Sequence, residues 1–98
     1  MFIYLIWEQD SDFYKVGVTT NTEQRLNDIQ SCTPHKLTYL KTAETDRKTA
    51  FRVESAIKDK WRSHLVWKGK EWFELDYNEG LKMEDWIEDL RVKWFLSY

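Results

Sequence analysis

Two short apolar runs split by a polar break, with a helix start directly behind them, limit what this chain can become. Phe2-Ile3-Tyr4-Leu5-Ile6-Trp7 is the first run. Glu8 to Asp12 is the break, and Phe13-Tyr14-Lys15-Val16-Gly17-Val18 is the second run. β-Branched and aromatic residues fill both, which reads as a β-hairpin. Thr20 and Glu23 stand in a capping-box pattern, so a helix is expected to begin near Asn21. The first run lacks polar alternation, as a strand buried on both faces does, and is expected to be central in its sheet. In the second run, period-2 alternation puts Phe13, Lys15 and Gly17 on one face and Tyr14, Val16 and Val18 on the other. The second set makes a core face. Lys15 then points to the other side, where a helix, solvent or a ligand could sit.

The rest of the chain supplies a third strand and more helices. Residues 21–31 form a short helix in which Leu26 and Ile29 make the apolar contact. Arg25 lies one turn before Ile29, at the flank of that stripe, so its stem can pack while its guanidinium reaches toward the sheet. Thr33-Pro34 marks a loop. Residues 37–43 read as a strand with Leu37, Tyr39 and Lys41 on one face. The longest central helix is expected over about 48–64, with Ala50, Val53, Ile57 and Trp61 on one stripe. Glu54 falls inside that stripe on the helical wheel. A carboxylate there is expected to be paired, protonated or bound to a metal, and Lys58 one turn later is its nearest candidate partner. Lys68-Gly69-Lys70 marks a turn, and Glu71 to Leu75 a fourth short run. A last helix over about 81–96 carries Met83, Trp86, Ile87, Leu90 and Trp94 at helical spacing, which is read first as core cover and second as a dimer surface.

With 98 residues, three Gly, one Pro and no internal repeat, the expectation is a single domain over 1–98. The fold class is α+β: a small three-stranded antiparallel sheet flanked by helices, with its core at about residues 2–75 and an added C-terminal helix. No apolar run approaches the roughly 20 residues that cross a bilayer, and Glu8 and Asp10 interrupt the N-terminal run too early for a signal peptide. The single cysteine, Cys32, excludes an internal disulfide and a cysteine zinc cluster. A cytoplasmic protein with no membrane partner is expected. Net charge is −2, but it is unevenly placed. Residues 47–70 carry eight Lys/Arg and two acids; residues 71–89 carry eight acids and one Lys. A basic segment of that kind can bind phosphates, or simply be a solvated helix face.

The chemistry-bearing residues narrow the function further. His35 and His64 have no ligand-spaced neighbours, and there is no nucleophile elbow, P-loop or dinucleotide fingerprint. What remains is tyrosine, lysine, arginine and one carboxylate in an apolar stripe. That set suits phosphodiester cleavage: a carboxylate holds a hard divalent ion, cations stabilise the charged transition state, and a phenol or bound water handles the proton.

In order and spacing, these residues resemble the GIY-YIG nuclease superfamily, in particular its small phage and bacterial branch with a Tyr-Lys-Ile-Gly second motif. The resemblance covers about residues 2–75. Phe2-Ile3-Tyr4 stands at the first motif and Tyr14-Lys15-Val16-Gly17 at the second. Arg25 follows Gly17 by eight residues. Thr33-Pro34, Glu54 and Gly69-Lys70-Glu71-Trp72-Phe73 match later landmarks. The resemblance implies a metal-dependent DNA endonuclease. Tyr4 would help activate the attacking water, Lys15 and Arg25 would stabilise the scissile phosphate, and Glu54 would hold Mg²⁺ or Mn²⁺. Lys58, Lys60, Arg62, Lys68 and Lys70 would contact the DNA backbone. Three positions depart from the pattern: Phe2 replaces the first-motif glycine, Lys15 stands where a tyrosine is usual, and Lys58 where the branch often has histidine. The alternative is a non-catalytic nucleic-acid- or protein-binding module on the same fold, such as a phage inhibitor or regulator. A homodimer through the C-terminal helix is compatible with either. The nuclease reading requires Tyr4, Arg25 and Glu54 to converge on one pocket. The binding-module reading is favoured if Glu54 is locked in an ion pair with Lys58 or Lys15.

Overall fold

The hairpin at the N-terminus forms as its sequence dictates. In the computed structural model, which describes residues 1–66 and 72–95, β1 (Phe2–Glu8) pairs antiparallel with β2 (Phe13–Thr19), with Tyr4 opposite Gly17. Ser11 fastens the turn between them. Its hydroxyl donates to the Glu8 carbonyl at 2.6 Å and accepts from the Phe13 N–H at 3.1 Å. Asp10 takes the left-handed region at φ 62°, which Asp tolerates better than most residues.

The chain continues through α1 (Thr22–Gln30), β3 (Leu37–Glu44), α2 (Arg47–Lys60), a 3-10 turn at Arg62–His64, β4 (Trp72–Glu74) and α3 (Tyr77–Phe95). The antiparallel sheet runs β3-β1-β2-β4, so it has four strands rather than the expected three. The fourth is only three residues long, paired to β2 at Phe13–Lys15. As expected, β1 is interior, and Ile3 to Ile6 are all buried.

The sheet has two apolar faces of unequal size. Ile3, Leu5, Tyr14 and Val16 pack under Ala50, Val53 and Ile57 of α2 and Met83 and Ile87 of α3, with Phe73 and Leu75. The other face gathers Tyr4, Ile6 and Leu37, covered by Leu26 and Ile29 of α1 with Tyr39 and Trp72. Tyr14 therefore faces away from Tyr4, as the alternation required. Met83 and Ile87 of α3 are buried, with Leu90 and Trp94 packed against the same core, so these positions serve as core cover; Trp86 is 40% exposed and stands edge-on to Trp61.

Some local expectations are corrected. Asn21, not Thr20, caps α1, accepting from the Gln24 N–H at 3.0 Å. Asp46 caps α2, which ends at Lys60 rather than 64. Lys41 does not share a face with Leu37 and Tyr39. The pairing of β1 with β3 skips Leu40, matching Leu5 to Lys41 and Ile6 to Tyr39. That bulge turns Lys41 to the opposite face, where its ammonium pairs with Glu88 of α3 at 3.0 Å. Helix α3 begins at Tyr77, four residues earlier than expected. The Asp76 carboxylate accepts from the Glu79 N–H at 2.8 Å. Gly80 sits inside the helix because a Cβ there would stand 2.7 Å from the Tyr14 ring. No helix among the described residues is long and apolar enough to cross a membrane.

Candidate nucleic-acid interface on the smaller sheet face

The smaller face is where the sequence placed its chemistry. Tyr4 is buried at 1% exposure. Its ring lies across Gly17: a Cβ on Gly17 would stand 2.2 Å from the Tyr4 hydroxyl. That explains a glycine in the middle of a strand pair. The phenol oxygen accepts a hydrogen bond from Arg25 Nε at 3.1 Å, spanning from β1 to α1. Tyr39 completes the wall, edge-on to Tyr4 with ring centroids 5.7 Å apart, and its hydroxyl donates to the Thr22 carbonyl at 2.6 Å. Burial raises the Tyr39 pKa and the neighbouring Tyr4 adds to the rise, while Arg25 opposes it. Tyr39 therefore stays a neutral donor at ordinary pH.

Lys15 belongs to the same face. It is 4% exposed, and its ammonium lies 5.9 Å from the centre of the Trp72 ring. A nearly buried cation against an indole face gains from the ring's quadrupole where water is scarce. Two cations, a phenol and a glycine thus share one patch of backbone. A hydrogen bond involving a charged group contributes about 1.5–3 kcal/mol net, so the Tyr4 contact holds Arg25 in a defined orientation. A guanidinium presents its donors as a planar fork that matches phosphate oxygens.

Glu54 is placed elsewhere. It projects from α2, whose buried stripe packs on the larger face, and with Ser55, Lys58, Asp59, Arg62 and Leu65 it lines a separate open depression. Its side chain is 19% exposed and its Oε2 lies 3.5 Å from Lys58 Nζ. The Glu54–Lys58 ion pair forms, and the depression that Glu54 lines includes neither Tyr4 nor Arg25. An (i, i+4) pair of this kind contributes about 0.3–0.5 kcal/mol, far less than the contact that orients Arg25. Among the described residues, no group of three His, Cys, Asp or Glu side chains could hold a metal ion. As a donor, however, Glu54 fits a hard divalent ion. Mg²⁺ commonly takes one or two carboxylates, several waters and substrate phosphate oxygens.

The other basic residues are engaged locally. Lys60 sits over Trp86 at 4.2 Å and Trp61 at 5.3 Å from the ring centres. Arg62 is paired with Asp59. Lys68, Lys70 and the landmark at Gly69 to Glu71 lie outside the described residues. Two residues of the face carried no signal as site residues in the sequence. Tyr39 looked like ordinary strand material, and Trp72 was noticed only as a landmark. What joins them to the site is packing from β3 and β4, which no local pattern encodes.

Comparison with curated proteins and with solved structures gives no match. A match to the T5orf172 domain extends over residues 1–90, and so over all the elements that build both sheet faces except the last turns of α3. By that match the chain belongs to the T5orf172 domain family, a phage-associated group related to homing-endonuclease and GIY-YIG-like folds.

Proposed function

We propose that this protein is a DNA-binding domain of nuclease type, a GIY-YIG-like endonuclease that grips a backbone phosphate on the smaller face. The observation that carries this is the Tyr4–Arg25 hydrogen bond formed over Gly17, with Lys15 on the same face. Family membership supports a nucleic-acid role. Arg25 binds the phosphate through its fork, Tyr4 fixes the fork's direction, and Lys15 adds positive charge. In the nuclease reading the Tyr4 phenol would pass a proton to or from the attacking group. Glu54 is the residue that would hold Mg²⁺ or Mn²⁺, and such an ion would supply Lewis-acid stabilisation of the phosphoryl oxygens. Lys58, displaced from that pair, would turn to the DNA backbone, with Lys60, Arg62, Lys68 and Lys70 as further contacts.

A second reading is favoured by one specific observation. Glu54 is paired with Lys58 and lines a depression apart from Tyr4 and Arg25, as a non-catalytic nucleic-acid-binding module would have it. Cleavage of supercoiled plasmid separates the two. Under the nuclease reading, the wild type nicks plasmid only with Mg²⁺ or Mn²⁺, and Glu54→Ala and Arg25→Ala both abolish nicking. DNA binding without nicking by the folded wild type would select the binding module.

A further inference from the structure

Next to the Lys15–Arg25 face lies a cleft of about 330 Å³ whose lining includes Glu8, Phe13, Ile29, His35 and Trp72. That volume falls in the roughly 300–1,000 Å³ range of small-molecule sites. Trp72 belongs to both places. Its indole carries the Lys15 ammonium and forms part of the cleft wall. Phe13 is a second aromatic wall. The polar groups sit together: Glu8, with its side chain only 15% exposed, has its Oε1 3.8 Å from Nε2 of the exposed His35.

We infer that this cleft takes one unpaired guanine base of a DNA strand whose phosphates lie on the Lys15–Arg25 face. The inference rests on the reading of that face as a DNA-phosphate surface. Charge decides which part of a nucleotide enters. A carboxylate repels phosphate, so the backbone stays with Lys15, whose ammonium lies against Trp72, and the base turns into the cleft. Aromatic walls stack any base. The carboxylate then chooses among them. It is acceptor-only, and guanine alone among the four DNA bases has two adjacent donors on its Watson–Crick edge, N1–H and the N2 amino group. Glu8 accepts both, and the exposed His35 imidazole beside it can donate to guanine O6. Adenine and cytosine offer one donor beside an acceptor, and thymine one donor between two acceptors, so each leaves a carboxylate oxygen facing a lone pair.

The test uses a labelled oligothymidylate carrying one central guanine, against the all-thymine strand, by fluorescence anisotropy in EDTA. The guanine strand is expected to bind about tenfold tighter. Replacing guanine by inosine, which lacks the N2 amino group, should remove most of that preference without any change to the protein. Glu8→Gln should remove most of it, because the amide puts a donor where a carboxylate oxygen accepted from guanine. Equal binding of the two strands, or a preference that survives both inosine and Glu8→Gln, would overturn the guanine cleft and leave the phosphate face intact. No binding of either strand would overturn the phosphate face and the cleft together.

Discussion

At the scale of single residues, the candidate site depends on a ring lying over a glycine. Gly17→Ala would drive a methyl group into the Tyr4 hydroxyl, with the ring carbon beneath it at 2.4 Å. Tyr4 is buried, so its ring has little room to yield. Overpacking of this kind costs about 1–3 kcal/mol, to be read as a lower urea midpoint at unchanged m-value. Tyr4→Phe keeps the ring and removes the acceptor of Arg25. A milder loss of stability is expected, together with weaker DNA binding, because Arg25 loses its orientation. Binding that fell with no change in affinity in Arg25→Ala would place the effect of Tyr4 elsewhere. Much of this patch was legible in the sequence. Period-2 alternation put Lys15 and Gly17 together and turned Tyr14 away, and helical spacing put Arg25 beside the apolar stripe of α1. The Glu54–Lys58 pair was legible as an (i, i+4) spacing. Which face of the sheet α2 would cover was not, because a helical wheel gives only the angle of a residue around its own axis.

Among the elements, caps and bulges decided where the sequence reading drifted. Thr20 and Asn21 are both good cap residues, one position apart, and only the backbone shows that Asn21 takes the role. Asn21→Ala should therefore cost about 1 kcal/mol in chemical denaturation, and Thr20→Ala much less. Gly80 marks a second ambiguity. The last helix was expected to start just after this glycine, yet Gly80 lies within α3, where the Tyr14 ring occupies the place of its side chain. In an open helix, Gly→Ala would stabilise by about 1 kcal/mol. Here the sign should reverse, with Gly80→Ala lowering the urea midpoint and Gly80→Ala in a Tyr14→Leu background restoring part of it. The bulge at Leu40 had no local sequence mark, since Lys41 fits either face of a strand. Its position follows from the pairing of β3 with β1 and from Glu88 waiting on the other side.

For the whole molecule, charge separates binding from stability. Glu88 ties α3 to β3 and to its own helix. The Arg91 hydrogen bond first, and the Lys41 hydrogen bond next, hold its pKa at about 2 against an ordinary 4.5. The folded state therefore binds fewer protons than the unfolded state between those values. The stability contributed by Glu88 is present above pH 4.5 and is lost as pH falls toward 2. Glu88→Gln should flatten the acid limb of a urea-midpoint-versus-pH series in that window and leave the neutral region's slope unchanged. The DNA side of the molecule should respond to salt instead. A net charge of −2 gives no overall attraction to DNA, so binding must come from localised cations, and each phosphate contact adds about 0.9 to the salt slope. The most direct measurement is duplex DNA affinity against salt, in EDTA so that cleavage does not intervene, for the wild type and Arg25→Ala. Weaker binding by Arg25→Ala is expected at every salt concentration, with a slope smaller by about one. A folded Arg25→Ala with the affinity and slope of the wild type would contradict it, and would move the phosphate contact off the Tyr4–Arg25 face.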